Sequence, residues 1–403
     1  MRSKRTSSAN LSWACPGHTK REDFLKVNFK YTEQQDMLRT MAREFLAGEC
    51  PKSRTRELEK DGRGYDPGTW KRMAELGWMG LLLPEEYEGS GADFMDLVVL
   101  MEELGRNILP GPFFSTVALA ALPIMDYGSK SQQADHLPRI IRGETVWTLA
   151  TKEDPADCGF SRIRTAAGPA DGGYVLNGEK TMAPYADVAD HMLVLARIRK
   201  GKVLEKGLTL FIVDMKKPGI EVEVIPTITG ETLCQVRFKD VKVGGGDVLG
   251  TAGDAGNMVK RILDKAALLK CAEVSGACQA VLEMTTAYAR DRRQFGKPIG
   301  AFQVIQHRLV DMLMQVEGLQ YLVYQAAWMM NAGADCAAQI AMAKVKANEV
   351  YQRVALDGIK IHGAIGFSIE HDMGLYYRRV LASRFTPYDT AHYLEKVAEG
   401  MGL

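Results

Sequence analysis

The stretch YARDRRQFGKPIGAFQVIQHRLVDM, residues 288–312, contains the end of one helix, a turn and the beginning of a second helix. A Gly-Lys-Pro sequence at 296–298 marks the turn, since glycine and proline interrupt helices. Arg292 and Arg293 lie next to this turn, where guanidinium groups can bind phosphate oxygens through paired hydrogen bonds. A solvated basic helix end accounts for the same residues, so on their own they leave both interpretations open.

Outward from this stretch, the spacing of apolar residues divides the chain into three parts. In the first and last parts they recur at helical spacing, which predicts amphipathic helices and, in the last part, an antiparallel bundle. In the middle part they form short β-rich runs, and Val236 and Phe238 alternate with charged residues as in a half-buried strand. The predicted domains are an N-terminal helical domain at 28–144, a middle β domain at 145–250 and a C-terminal helical bundle at 251–403.

Two shorter patterns refine this division. Residues 168–173, Gly-Pro-Ala-Asp-Gly-Gly, predict a tight turn, and Asn177-Gly178 is typical of a β-hairpin turn. Residues 1–27 are predicted to be a disordered extension outside the fold, because their first 21 residues are basic, carry no acidic residue and lack an apolar core. That composition excludes a secretory signal and leaves a transit peptide as the alternative.

The composition limits the classes of partner. The 403 residues include 51 Lys and Arg against 50 Asp and Glu, so no overall charge attracts the chain to nucleic acid or to an anionic membrane. The longest apolar stretch, 117–125, is far shorter than the roughly 20 residues that span a bilayer. Seven cysteines without a Cys-x-x-Cys pair or a histidine cluster suit free thiols in a reducing compartment. We therefore expect a cytoplasmic protein without a metal site, a nucleic-acid partner or membrane insertion.

Four motifs, taken in chain order, resemble those of one enzyme family. They are Val175-Leu-Asn-Gly-Glu-Lys180, Phe238-Lys-Asp-Val-Lys-Val243, the stretch 288–312 and Ile361-His-Gly-Ala-Ile-Gly-Phe367. Together they resemble the acyl-CoA dehydrogenase family over about residues 28–400. A single Gly-rich turn would carry little weight, whereas four motifs in the family's order are specific.

The resemblance implies a mainly α fold with a middle β domain: N-terminal helices, a β-barrel-like middle domain and a C-terminal four-helix bundle. Members of the family desaturate an acyl-CoA between its α and β carbons. The resemblance therefore implies FAD bound at the junction of the domains and across a subunit interface, with an electron-transfer flavoprotein as the electron acceptor. It also implies a homotetramer or an α2β2 heterotetramer.

The same resemblance assigns cofactor contacts residue by residue. Arg292 and Gln294 would hold the FAD pyrophosphate of a neighbouring subunit, and Phe295 would pack against its adenosine. Gly363 and Gly366 would let the backbone approach the cofactor closely, as glycine permits.

The chain departs from the family at the position of the catalytic base. A glutamate usually removes the α proton of the thioester. Ungapped alignment places Pro387 at that position, and deletion of one residue places Asp389 there, which makes Asp389 the candidate base. Ala266 occupies the family's second position for a base. Asp264 falls where the family has an aspartate that hydrogen-bonds the pantetheine arm of CoA.

Flavin contacts in the middle domain differ as well. Met182-Ala183-Pro184 corresponds to a family Trp-x-Thr segment that covers one face of the flavin, and Lys360 stands where a glutamine is common. Thr151 and Glu153 are the recognisable residues of a cofactor-binding loop, and Thr151 is the predicted FAD contact.

These departures keep three functions open. A bacterial branch of the family is resembled by residues 105–113, by Gly-Glu-Lys-Thr at 178–181 and by 370–372 with Arg378-Arg379. Members of that branch degrade steroid side chains, dicarboxylic acids and ring carboxylates, often as paired unlike subunits. The first function is an FAD-dependent acyl-CoA dehydrogenase with Asp389 as base. The second is a non-catalytic or half-site subunit of a heteromeric dehydrogenase. The third is other flavin or acyl-CoA chemistry, such as that of an oxidase, on the same fold.

Overall fold

The N-terminal part of the chain is helical. The computed structural model describes residues 30–155, 159–160, 162–198 and 206–403, and the predicted extension at 1–27 lies outside them. Helices begin at Thr32, Asp93 and Ser129 with capping boxes, in which side chain and backbone exchange hydrogen bonds over three residues. The helices are α1 (Glu33–Glu49), α2 (Lys52–Leu58), α3 (Pro67–Glu75), α4 (Phe94–Asn107), α5 (Phe113–Thr116), α6 (Leu122–Tyr127) and α7 (Lys130–Ile141), with a π-helical turn, Val117–Ala121, between α5 and α6.

An eight-stranded sheet follows. Its strands are β1 (Trp147–Ala150), β2 (Ala166–Ala170), β3 (Gly173–Pro184), β4 (His191–Arg197), β5 (Leu208–Asp214), β6 (Ile220–Ile225), β7 (Leu233–Gly244) and β8 (Val248–Leu249). The order is β6-β7-β3-β2-β4-β5-β8, and β1 pairs with β4. All pairs are antiparallel except β1–β4 and β2–β4. Alternate residues such as Leu176, Val194 and Phe211 form a core within the sheet.

The prediction of a hairpin turn at Asn177-Gly178 is wrong. Both residues lie inside β3, where the pairing with β7 shifts register between Leu176 and Gly178. Asn177 Nδ2 donates a hydrogen bond to Asp240 Oδ1 on β7 at 3.0 Å. Gly178 has a φ of +143°, and a Cβ at this position would lie only 2.6 Å from Cα of Thr165, so no larger residue fits here. Glycine therefore allows the unusual backbone conformation of a β-bulge at this position. The turn that connects β2 to β3 lies between Ala170 and Gly173.

The C-terminal part is a helical bundle. It contains α8 (Ala255–Asp291), α9 (Gln303–Asn331), α10 (Ala337–His362), α11 (Met373–Ser383) and α12 (Thr390–Gly400), and a small hairpin of β9 (Arg293–Gln294) and β10 (Lys297–Pro298) joins α8 to α9. Helices α8, α9 and α10 pack against one another, and α11 and α12 pack on α10. The order of helices, sheet and helices confirms the predicted fold class.

Helices α4 and α8 cross with their backbones in contact. A Cβ on Gly105 of α4 would overlap the carbonyl oxygen of Glu273, and a Cβ on Gly276 of α8 would overlap that of Glu102. Two glycines thus permit an approach that any side chain would prevent. The N-terminal helices and the C-terminal bundle share one continuous core as a result.

We expect Gly276→Ala to lower the free energy of unfolding by about 1–3 kcal/mol, because the added methyl group forces two packed backbones apart. Chemical denaturation followed by circular dichroism measures the change. Gly48→Ala in α1 is the matched control, since a Cβ there meets no atom within 4 Å, and it should be neutral or stabilising by up to about 1 kcal/mol. Equal stability of the two variants would contradict the close approach of α4 and α8.

Candidate active site

A cavity of about 490 Å³ lies where the N-terminal helices, the sheet and the bundle meet. Its apolar walls come from α4, from the segment that follows it and from α8, and include Met101, Leu104, Phe113, Phe114, Leu119 and Leu263. The sheet contributes Thr151, Met182, Pro184 and Leu233, and the loop after α11 contributes Phe385, Thr386, Pro387 and Tyr388. The shape and lining suit a mostly apolar ligand with a few polar contacts.

Five charged side chains interrupt the apolar walls. Lys152 is one of them, and we call the other four the ionic cluster: Glu231, Lys270, Glu273 and Arg379. Lys270 Nζ lies 2.5 Å from Glu273 Oε2, and Arg379 Nη1 lies 2.6 Å from Glu231 Oε1. Burial by itself would raise the pKa of Glu231, but the charges of Arg379 and Lys270 outweigh it and hold that pKa below its usual range. Glu231 is therefore ionised at neutral pH.

Sequence reasoning missed this cluster. Glu231 and Arg379 are 148 residues apart in the chain and meet only in the fold. One local signal was present, because Lys270 is a lone cation in the apolar run 266–272 of α8 and is buried there. A charge on an otherwise apolar helix face requires a partner or a ligand.

The predicted base, Asp389, lies beside the cavity but is not one of its lining residues. It is the N-cap of α12, and its Oδ1 accepts a hydrogen bond from the backbone N–H of His392 at 3.0 Å. Pro387, two residues earlier, does line the cavity, and Ala266 is fully buried. Among the described residues that line the cavity, the carboxylates are Glu231 and Glu273, both in ion pairs.

A second, polar cavity of about 430 Å³ adjoins the first and shares Thr151, Lys152, Pro155 and Tyr388 with it. The buried ammonium group of Lys180 lies 2.7 Å from Glu153 Oε1. Burial would raise the pKa of Glu153, but Lys180 outweighs it and lowers that pKa, whereas burial lowers the pKa of Lys180 to about 8. Glu153 also accepts hydrogen bonds from the backbone of Arg164 and Thr165, so it fixes the start of the predicted cofactor loop.

The other predicted FAD contacts lie at the far ends of α8 and α10. Arg292, Gln294 and Phe295 are exposed on the β9–β10 hairpin, and Phe295 is 90% exposed. Gly363 ends α10 with a φ of +67°, and a Cβ there would meet no atom within 4 Å, so its backbone faces open space. The rings of Tyr288 and His362 stack at 4.4 Å and bring these two helix ends together.

Of the predicted FAD contacts, Arg292, Gln294, Phe295 and Gly363 therefore lie near one another at these helix ends. Thr151 lies apart from them at the cavity, and Gly366 is buried behind His362. An accessible backbone beside exposed arginine, glutamine and phenylalanine fits a flat cofactor with a pyrophosphate group. Asp264 on α8 is not a lining residue, and its Oδ1 lies 2.5 Å from Lys396 Nζ on α12.

The described part of the chain was also searched for membrane-spanning helices, metal-binding groups and paired cysteines. None of its helices combines the length and the hydropathy of a bilayer-spanning segment. Within the same residues no group of three or more His, Cys, Asp or Glu side chains is arranged to hold a metal ion. The five described cysteines, Cys50, Cys234, Cys271, Cys278 and Cys336, are buried free thiols.

Comparison with known proteins gives matches along nearly the whole chain. Models of the acyl-CoA dehydrogenase N-terminal, middle and C-terminal domains match residues 32–144, 154–241 and 255–387. The caffeyl-CoA reductase-Etf complex subunit CarC of Acetobacterium woodii is 29% identical over 92% of this chain and 98% of its own length. The structure of butyryl-CoA dehydrogenase from Megasphaera elsdenii superposes with a TM-score of 0.88 at 27% identity, covering 94% of this chain and 100% of that one. The ChsE4–ChsE5 complex of Mycobacterium tuberculosis has a chain with a TM-score of 0.84 at 26% identity, over 93% and 99% of the two chains.

Proposed function

Because the chain belongs to the acyl-CoA dehydrogenase family of oxidoreductases, we propose that it desaturates an acyl-CoA thioester between its α and β carbons. The observation that carries this proposal is the apolar cavity of about 490 Å³ where all three family domains meet. Its walls can enclose an acyl chain and exclude water from the reacting carbons.

The cofactor is FAD, which accepts the hydride of the β carbon when it is bound. We propose that Arg292 and Gln294 hold its pyrophosphate from a neighbouring subunit, that Phe295 packs against its adenosine, and that the backbone at Gly363 and Gly366 lies close to it. These contacts are supported by the exposure of the β9–β10 hairpin and by the open space around the backbone of Gly363. Thr151 is the proposed contact on the sheet side, since it lines both cavities.

Arg292→Ala should weaken FAD binding by about 10–100-fold, because a charge-assisted hydrogen bond to phosphate is lost. Fluorescence titration of the apoprotein with FAD measures this affinity. Arg290→Ala, at an exposed position of α8 two residues earlier, is the matched control and should bind FAD as the wild type does. Unchanged affinity of the Arg292 variant would remove Arg292 from the cofactor site.

We propose Asp389 as the base that removes the α proton. Its Oδ1 is engaged by the helix cap, and within the described residues its Oδ2 has no protein donor. The preceding residues, Pro387 and Tyr388, line the cavity, so a small movement of this loop would bring Oδ2 to the substrate. Asp264 is the proposed contact of the pantetheine arm of CoA. It would form this hydrogen bond in place of its ion pair with Lys396.

A second candidate function is that of a half-site subunit in a heteromeric dehydrogenase. It is favoured by Pro387 and Ala266 at the family's two base positions, and by the ion pairs that engage both cavity carboxylates. The similarity to the ChsE4–ChsE5 complex supports the same proposal. In such a pair, the partner would supply the base.

We propose a tetramer, either homomeric or α2β2, with an electron-transfer flavoprotein as electron acceptor and with a cytoplasmic location. Exposed apolar side chains along α9, among them Val304, Val310 and Met314, provide a surface for a second subunit. The relative named as a subunit of a caffeyl-CoA reductase-Etf complex supports the acceptor. The buried free thiols suit a reducing compartment.

The decisive experiment is a screen of acyl-CoA thioesters for bleaching of the bound flavin. It should be run on the purified protein alone and after mixing with any paralogue encoded by an adjacent gene. Bleaching by the protein alone supports the dehydrogenase, and bleaching only with the paralogue supports the half-site subunit. Protein that remains colourless after reconstitution with FAD would contradict the dehydrogenase, and protein that remains colourless with the paralogue as well would contradict both.

A further inference from the structure

The ionic cluster places two deeply buried cations on the wall of a mostly apolar cavity, and Lys152, which is less buried, is a third cation on that wall. Lys270 lies over the ring of Phe114, with Nζ 4.2 Å from the ring centroid, and Phe114 lines the same cavity. The side chains of Lys270 and Arg379 are only 7% and 8% exposed. Charges so deeply buried are costly unless they are paired and hydrogen-bonded.

The pairing of these cations is incomplete. Lys270 donates one hydrogen bond, to Glu273, although an ammonium group has three N–H groups. Arg379 donates one, to Glu231, although a guanidinium group has five. Neither cation has another protein acceptor in the described part of the chain. Donors remain that an occupant of the cavity could satisfy.

The cluster as a whole is balanced in charge. Burial disfavours the charge on both Glu231 and Arg379, but the partner within the pair outweighs it, and across the pairs Lys270 further lowers the pKa of Glu231 while Glu273 further raises that of Arg379. The charges of the two ion pairs therefore act on each other. Within the cluster two cations meet two anions, so a ligand carboxylate placed there would add a buried charge without a counter-ion. Lys152, the remaining cation of the cavity wall, is less buried, and its Nζ donates to the carbonyl oxygen of Phe385 at 3.4 Å. A wholly apolar ligand would cover the spare donors and leave them without acceptors.

We propose that the acyl group of the substrate carries an uncharged oxygen, as a hydroxyl or keto group remote from the thioester, which accepts hydrogen bonds from Lys270 and Arg379. The inference rests on the proposed function, since it assigns the acyl chain to this cavity. A hydroxyl could in addition donate to Glu231 or Glu273, whereas a ketone could only accept.

A panel of CoA thioesters of equal chain length tests the proposal. Its members are the unsubstituted acyl-CoA, the remote hydroxy and keto derivatives, and the derivative with a terminal carboxylate. Affinity for the FAD-loaded protein is measured by isothermal titration calorimetry, which needs no turnover. We expect a hydroxy or keto derivative to bind at least about tenfold more tightly than the unsubstituted chain, because only the former satisfies the buried donors. The two derivatives together distinguish the hydroxyl from the ketone.

The double variant Lys270→Met, Glu273→Gln removes one ion pair without leaving a buried charge. It should lose most of the preference for oxygenated chains and bind the unsubstituted chain more tightly. Lys265→Met, Asp126→Asn is the matched control, because this pair also lies 2.5 Å apart and anchors α8, but neither residue lines the cavity. The control should keep the wild-type preference.

Equal affinity of the wild type for substituted and unsubstituted chains would overturn the proposal. So would tightest binding of the carboxylate derivative, or an unchanged preference in the Lys270, Glu273 variant. If that variant does not fold, the wild-type panel decides. Failure of every thioester to bleach the flavin would contradict the proposed function, while the calorimetric ranking would still decide this inference.

Discussion

Asp389→Asn is expected to slow flavin reduction by an acyl-CoA substrate by about 10²–10⁴-fold, the usual contribution of a positioned base. Asparagine keeps the hydrogen bond that Asp389 accepts from His392, so the start of α12 should not change. Single-turnover stopped-flow measurement of flavin bleaching separates the chemical step from product release. Thermal unfolding of the same variant should match that of the wild type.

Two further variants give this experiment its controls. Asp389→Ala removes the cap as well as the base and should cost about 0.5–2 kcal/mol of stability. Asp93→Asn alters another aspartate N-cap, whose Oδ1 accepts from Asp96 at 3.0 Å, and should leave bleaching unchanged. Normal bleaching by Asp389→Asn would show that another group takes the α proton, and the half-site proposal would then gain support.

Arg379→Met should lower the free energy of unfolding by about 3–5 kcal/mol, the cost of leaving a buried charge without its partner. The group left behind is Glu231, whose carboxylate lies 2.6 Å from Arg379 in the intact pair. Denaturant unfolding at neutral pH measures the loss. The double variant Arg379→Met, Glu231→Gln should recover a large part of it, because no buried charge remains.

The loss of stability in Arg379→Met should also depend on pH. In the wild type the folded state lowers the pKa of Glu231, so its contribution is present above the unfolded pKa and is lost as the pH falls through the folded pKa. Without Arg379, that pKa is higher than in the wild type, because Lys270 alone then opposes the effect of burial. The difference in stability between wild type and variant should therefore be largest at neutral pH and should shrink as the pH falls. A difference that does not change with pH would contradict the assignment.

The fold class followed from the sequence because the periods of helix and strand differ. The faces of the elements did not follow. Met37 and Met41 recur at helical spacing in α1 yet remain 67% and 42% exposed, whereas Ala42 and Leu46 are buried. Asn177-Gly178 predicted a turn but forms a bulge, because the conformation that suits a hairpin also suits an irregular strand.

The positions of site residues could be predicted only where nearby residues in the sequence determine them. The hairpin at 293–298 and the turn after α10 follow from glycine and proline positions. The ionic cluster depends on a contact between the segment before β7 and α11, which no spacing in the sequence indicates. The role of Asp389 as a cap depends on where α12 begins, and the ends of helices are the least predictable part of a sequence assignment.

The contact between α4 and α8 has a consequence for how the substrate range of this chain can change. Met101 and Leu104 lie on one of these helices, and Lys270 and Glu273 lie on the other, so two walls of the cavity meet through backbone contact. Gly105 touches the carbonyl of Glu273 itself, which fixes the origin of one charged side chain of the cluster. These two walls cannot move closer together, because the backbones of α4 and α8 are already in contact. At these two walls, we therefore expect acceptance of a less polar acyl group to come through replacement of individual side chains, such as those of Lys270 and Glu273, without a change in the crossing of the helices.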